Sequence, residues 1–155
     1  MDVSIAEEKD PKVRRQTVES LTARLPEWFG QEDSNRHYAE RAEVLEAWVA
    51  WIGGQAIGLL LLKRHSAVSA EIYWLGVDPD HHRRGIGGTL MGVVERRLRH
   101  EGVKFVFVMT LDPQDPYEPY RRTRAFYERK GFGLVLTASR TGSLANPLAY
   151  YLKVL

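Results

Sequence analysis

The sequence predicts an α/β protein, a mixed sheet covered by helices, folded as a single domain over residues 1–155. Three observations carry this. A length of 155 residues with 44% hydrophobic content suits one buried core. Segments of helical and strand period follow one another as β-α-α-β-β-β-α-β-α-β-β, with strands and helices alternating in the second half. Gly53-Gly54 joins two aromatic and aliphatic runs as a hairpin turn would. No repeat, low-complexity tract or Pro/Ser linker divides the chain.

Taken in order, Val3 to Ala6 reads as a short first strand. Val13, Thr17, Val18, Leu21 and Leu25 recur at helical spacing, which predicts a helix over Pro11 to Leu25. Pro26-Glu27-Trp28-Phe29-Gly30 breaks it. A second helix is expected from Ser34, as N-cap, to about Val44. The period then changes: Glu46 to Ile52 and Gln55 to Leu62 are strands, and Ala70 to Val77 is a third in the same sheet. Asp78-Pro79-Asp80 is a turn. Ile86, Leu90, Val93, Val94 and Leu98 form an apolar stripe on a helix from Ile86 to Glu101, capped by Gly102. Val103 to Thr110 reads as a buried strand. Asp112 to Pro119, with three prolines, is loop. Tyr120 to Lys130 is helix, closed by Gly131. Phe132 to Ser139 and Leu148 to Val154 are the last strands.

Composition excludes several classes of function. No apolar run is long enough to span a membrane. Asp2, Glu7, Glu8 and Lys9 stand where a signal sequence needs apolar residues, so cytoplasmic residence is expected. The chain has no cysteine, which removes disulfides, cysteine metal sites and thiol nucleophiles. His81 and His82 are adjacent and lack partners at ligand spacing, so no metal is expected. Arginines cluster at 83–84, 96–99 and 121–129 in a chain of net charge +2. They read either as solvated helix faces or as a rim around an anionic ligand. No basic tail or nucleic-acid motif accompanies them, so no nucleic-acid partner is expected.

The segment His81-His82-Arg83-Arg84-Gly85-Ile86-Gly87-Gly88-Thr89-Leu90 carries the functional signal. It follows a strand and opens a helix. Glycines let the backbone approach a ligand and aim successive amides at it, and the helix N-terminus adds unpaired N–H groups and partial positive charge. Phosphate oxygens suit such a place. The P-loop is excluded by the missing lysine before Thr89, and the dinucleotide fingerprint by Leu90 at its third glycine. A glycine-rich turn without ligand is the other reading.

This segment resembles motif A of the GNAT N-acetyltransferase superfamily, Gln/Arg-x-x-Gly-x-Gly/Ala at a helix start after the fourth strand. Thr123 to Phe132 resembles the end of the family's motif B, in which a Phe-Tyr pair on a helix precedes Gly-Phe. The resemblance runs from about Val49 to about Leu136. Two positions depart from the pattern: His82 stands at the Gln/Arg position, and Thr123 stands nearest to an asparagine often found early in motif B.

The resemblance implies a single N-acetyltransferase domain with a central, mostly antiparallel sheet of about seven strands, splayed in the middle and flanked by about four helices. It implies acetyl-CoA as acetyl donor and a small-molecule or peptide amine as acceptor, with attack in a ternary complex. A homodimer is a further expectation from the family. Donor contacts fall on Leu75, Gly76, Val77, His82, Arg83, Arg84, Gly85, Gly87, Gly88, Thr89, Thr123 and Phe126, with the strand backbone at 75–77 bonding the pantetheine arm. Glu71 matches a glutamate that serves as base in several members, usually through water, and burial among aromatics would raise its pKa. An ordinary strand-end carboxylate paired with lysine or arginine is the alternative. In strict alternation Glu71, Tyr73, Leu75 and Val77 share one face of their strand. Tyr127 resembles the tyrosine near the cofactor sulfur and would protonate the thiolate; a core aromatic is the alternative. Trp28, Phe29, Trp74 and Tyr120 are candidates for the acceptor pocket, or caps on the core. A non-catalytic acyl-CoA sensor of the same fold, and an interaction protein whose glycine loop is only a turn, are the competing functions. Polyamines, aminoglycoside-like compounds, amino-acid derivatives and protein N-termini are all open as acceptors.

Overall fold

The computed structural model describes residues 2–138 and 148–155. The observed order of strands and α-helices is the expected one. Strand β1 (Ser4–Glu8) precedes helices α1 (Pro11–Arg24) and α2 (Glu32–Ala42). Strands β2 (Glu46–Ile52), β3 (Gln55–Arg64) and β4 (Ser69–Val77) follow, then a 3₁₀ turn at Pro79–His81. Helix α3 (Ile86–His100), strand β5 (Phe105–Leu111), helix α4 (Glu118–Arg129) and strands β6 (Gly133–Ala138) and β7 (Leu148–Val154) complete it. Ser139, expected to end β6, lies outside the described residues. No helix among them is long and apolar enough to cross a membrane.

Local chemistry explains the element ends. Asp10 caps α1 by accepting from the Lys12 amide at 2.9 Å, with Pro11 at the first position where its missing N–H costs nothing. Gly53 and Gly54 both take positive φ, 54° and 80°, so β2 and β3 join through a two-residue turn of the primed kind. Gly102 and Gly131, at φ 82° and 93°, close α3 and α4. Ser34 is not an N-cap. Helix α2 begins at Glu32, its cap is Gln31 without a side-chain bond, and it ends at Ala42. Glu32 and Asp33 instead place negative charge in the first turn, which favours the earlier start.

The seven strands form one sheet in the order β1-β2-β3-β4-β5-β7-β6. All neighbouring pairs are antiparallel except β4 and β5. That parallel pair is held only at Ser69–Phe105, Ala70–Val106 and Glu71–Phe107. Beyond it the two strands part, and the sheet splays at its middle.

The sheet has a core on each side. One packs Ile86, Leu90, Met91, Val94 and Leu98 of α3 and Tyr127 of α4 against the strands. The other packs Val18 and Leu21 of α1 and Ala39 and Ala42 of α2 against Val49, Leu59, Leu61 and Trp74. Strict alternation fails in β4. Leu61 pairs with Trp74 but Leu62 pairs with Ile72, so Tyr73 is an extra residue, a β-bulge. Ile72, Leu75 and Val77 therefore pack on the α3 side, and Tyr73 and Trp74 on the α1/α2 side. Strand β5 is not buried on both faces either. Val106, Val108 and Thr110 are buried while Phe105 and Met109 are exposed, because α1 and α2 cover β2–β4 and stop short of β5.

Candidate active site

A cleft of about 1550 Å³ opens where β4 and β5 part. Its floor begins at Glu71, the last β4 residue paired with β5. The Glu71 carboxylate is buried, and its Oε1 lies 2.8 Å from His65 Nε2. The His65 ring in turn packs 5.1 Å from that of Phe107, the residue opposite Glu71 on β5. The partner of Glu71 is thus a histidine and not a lysine or arginine. Lys63, opposite Glu71 on β3, places its ammonium 5.8 Å over the Tyr73 ring.

Above the floor, the backbone of Leu75 and Val77 turns toward the cleft, because Asp78 donates its amide to Ile57 on the β3 side and alternate peptides point oppositely. The His82 ring turns back onto β4: its Nε2–H donates to the Val77 carbonyl at 2.7 Å. His81 and His82 diverge, His81 Nδ1 standing 3.6 Å from buried Asp78. Arg24 pairs with Asp78 and, at 2.8 Å, with Asp80, so the end of α1 is tied to the same turn.

The glycine loop lies at the mouth. Arg83 and Gly85 both sit in the left-handed region, at φ 59° and 76°, a conformation that costs a non-glycine residue roughly 1–2 kcal/mol. Gly85 caps α3 and has no side chain to bond the first turn, so the amides at 86–88 have no partner among the described residues. Lys130 leans over this turn from the end of α4. A Cβ on Gly88 would stand 2.6 Å from Lys130 Nζ, and one on Gly87 3.4 Å from the Phe126 ring. The Lys130 ammonium has no carboxylate partner among the described residues. An unpaired cation thus stands beside the positive end of a helix, an arrangement that favours an anion between them.

The opposite wall is α4. Tyr127 is buried between Phe126 and Phe132, with ring centroids 5.3 and 5.5 Å away, and its hydroxyl has no hydrogen-bond partner among the described residues. Burial raises its pKa above the usual 10, so the phenol keeps its proton across the physiological range. The loop between α1 and α2 straps across to this helix. Trp28 Nε1 donates to Pro119 O at 3.0 Å and Thr123 Oγ1 at 3.1 Å, its ring meets His82 edge-on at 5.8 Å, and the Tyr120 hydroxyl donates to Trp28 O at 2.9 Å. Phe29 stacks on Trp74 at 5.2 Å.

Every residue singled out from the sequence borders this one cleft except Arg84 and Thr89. Thr89 instead donates its hydroxyl to Gly85 O at 2.9 Å. Trp74 is buried, and its indole covers Gly76, where a Cβ would lie 2.4 Å from the ring. The close approach that Gly76 permits is therefore to Trp74. Sequence reasoning missed Lys130, taken as part of a helix end, and His65. The signal for His65 was available: in the β3–β4 hairpin it lies two residues beyond Lys63, the cross-strand partner of Glu71, and so on the same face. Among the described residues no His, Asp and Glu side chains gather in threes to hold a metal ion.

Over nearly their whole lengths, solved structures share the fold. A GNAT-family protein from Desulfovibrio desulfuricans is 19% identical with TM-score 0.82, covering 99% of each chain. The ribosomal-protein-S18-alanine N-acetyltransferase from Escherichia coli is 15% identical with TM-score 0.76, covering 99% of this chain and 94% of its own. A GNAT acetyltransferase from Elizabethkingia anophelis with acetyl-CoA bound is 14% identical with TM-score 0.73, covering 99% and 98%. No curated protein matches the sequence. The family model described as the acetyltransferase (GNAT) family matches residues 14–132, well over half of the chain, and the chain belongs to that family.

Proposed function

We propose that the protein transfers an acetyl group from acetyl-CoA to a primary amine by direct attack in a ternary complex. One observation carries the reading: a carboxylate, a protonated phenol and an array of unpaired amides border the same splayed cleft. The donor's pyrophosphate rests on the amides at 85–88, with Arg83 and Lys130 supplying charge and Arg84 and Thr89 flanking the turn. Its pantetheine arm runs along Leu75, Gly76 and Val77, adding a short strand to the free edge of β4. His82 acts on that edge by fixing the Val77 carbonyl. Thr123 and Phe126 contact the arm from α4. The acceptor enters beside Trp28, Phe29, Trp74 and Tyr120.

In the reaction the amine nitrogen bonds to the thioester carbon and the carbon–sulfur bond breaks. Glu71 takes the proton from the nitrogen, directly or through water. Tyr127 gives its proton to the departing sulfur. Both groups point to catalysis over a binding-only role. Proteins of this fold include one named for aminoglycosides and one for an alanine of a ribosomal protein, so acceptors as different as a sugar amine and a polypeptide suit the same scaffold.

The experiment is a melting curve with and without acetyl-CoA, followed by an amine panel read by thiol release. At one hundred times Kd the donor adds about 2.7 kcal/mol, which raises Tm by roughly 5–10 °C for a chain of this size. A Tm that does not move at saturating donor would sink the donor site.

A further inference from the structure

We infer that His65 is a positioning residue for catalysis: it anchors one oxygen of Glu71 so that the other faces the acceptor. The inference rests on the reading of Glu71 as the base. Its own support is geometric. Glu71 borders the cleft and His65 does not. Oε1 is taken by His65 Nε2 at 2.8 Å, while Oε2 has no partner among the described residues and is the oxygen left for the reaction. The ring and the turn that carries it are each held by one contact. Its ring packs on Phe107, and the His65 amide donates to Ser69 O at 3.1 Å, closing the turn that carries it. The side chain is 35% exposed, against 5% for Glu71, so the pair runs from solvent to the cleft floor.

The anchor matters because β4 gives Glu71 little other guidance. Pairing with β5 ends at Glu71 and the bulge begins at Tyr73, so the backbone on one side of the carboxylate is irregular. A base must meet its proton within hydrogen-bond reach, and a misplacement of about 1 Å can cost a hundredfold in rate. The other ionisable groups around Glu71 are Lys63, turned over the Tyr73 ring, and Tyr73, whose hydroxyl is 2.8 Å from His37 Nε2 and which also meets Arg41. From β5 the neighbour is apolar Phe107. None of these substitutes for the His65 bond.

The test compares His65→Ala, His65→Gln and Glu71→Gln in the full chain, with kcat, donor KM and the pH profile measured for each. His65→Ala is expected to lower kcat about ten- to a hundredfold with donor KM unchanged. His65→Gln keeps an N–H donor and should restore most of kcat. The double variant His65→Ala/Glu71→Gln should be no slower than Glu71→Gln alone. A full-rate Glu71→Gln overturns the reading of Glu71 as base. An impaired Glu71→Gln beside a full-rate His65→Ala, or a His65→Gln as slow as His65→Ala, overturns the positioning role and leaves the base in place. Melting curves with acetyl-CoA show whether each variant is folded and binds donor.

Discussion

Replacing Gly76 by alanine is expected to destabilise the protein through a single contact. The new methyl would stand 2.4 Å from one indole carbon of Trp74 and 2.9 and 3.0 Å from two others. Carbon atoms rest at about 3.5–4.0 Å, so the ring must retreat by roughly 1 Å. It has little room, being 3% exposed and stacked on Phe29. Overpacking of this kind costs about 1–3 kcal/mol, and alanine returns about 0.4–1 kcal/mol by restricting the unfolded chain. The net loss is roughly 1–2 kcal/mol, or a fall in Tm of roughly 2–8 °C. Urea unfolding followed by circular dichroism, in both the Trp74 and the Trp74→Phe backgrounds, isolates the cause, since phenylalanine lacks the ring atoms that clash. There the penalty should vanish and give way to the gain of about 0.4–1 kcal/mol that alanine alone supplies. An equal penalty in both backgrounds would refute the assignment to Trp74 and point to the β4 backbone itself.

Three further variants probe the site. Tyr127→Phe should lower kcat about a hundredfold or more and leave donor affinity nearly intact, as stopped turnover and calorimetry would show; unchanged turnover removes Tyr127 as the acid. The same variant tests a linkage. The folded pKa of Tyr127 is raised, so the stability of its neutral form is fully present below about pH 10 and is lost as pH climbs past it, and Tyr127→Phe should resist alkaline unfolding better than the parent. Lys130→Ala should weaken donor binding roughly fivefold, about 1 kcal/mol, and flatten its salt dependence without lowering kcat. Gly88→Ala should keep or raise Tm, since alanine favours a helix by up to about 1 kcal/mol and Lys130 can swing aside, yet weaken the donor by covering the amides; donor affinity equal to the parent's would count against that turn as the phosphate site.

The glycine loop was legible because its parts are adjacent in the chain. A strand exit, αL-tolerant glycines and a helix start are all local, and they alone fix where the amides point. Lys130 was not legible in the same way. Its meaning comes from α4 crossing the start of α3, a contact between residues 88 and 130 that no period announces. Trp28 is a similar case. An aromatic in a loop can cap a core or meet a ligand, and only the bonds to Pro119 and Thr123 reveal a strap between the two walls of the cleft. The start of α2 was misplaced because Ser34 offered a strong cap signal, while the helix is begun by acidic residues upstream that act through charge.

The error in β4 is the instructive one, since the bulge behind it borders the cleft. Alternation assumes that each residue turns the strand by half a rotation, and Tyr73 breaks that count by one. A bulge also bends its strand and increases the local twist. In β4 it comes two residues after Glu71, where the parallel pairing with β5 ends. The strand that ceases to alternate is therefore the strand that leaves its neighbour. Its freed edge at Leu75 and Val77 then has peptide groups to offer a ligand, and Trp74 and Gly76 exchange contacts on the opposite face. A perfectly periodic β4 would have been easier to read, and it would have set Tyr73 on the face of Leu75 and Val77.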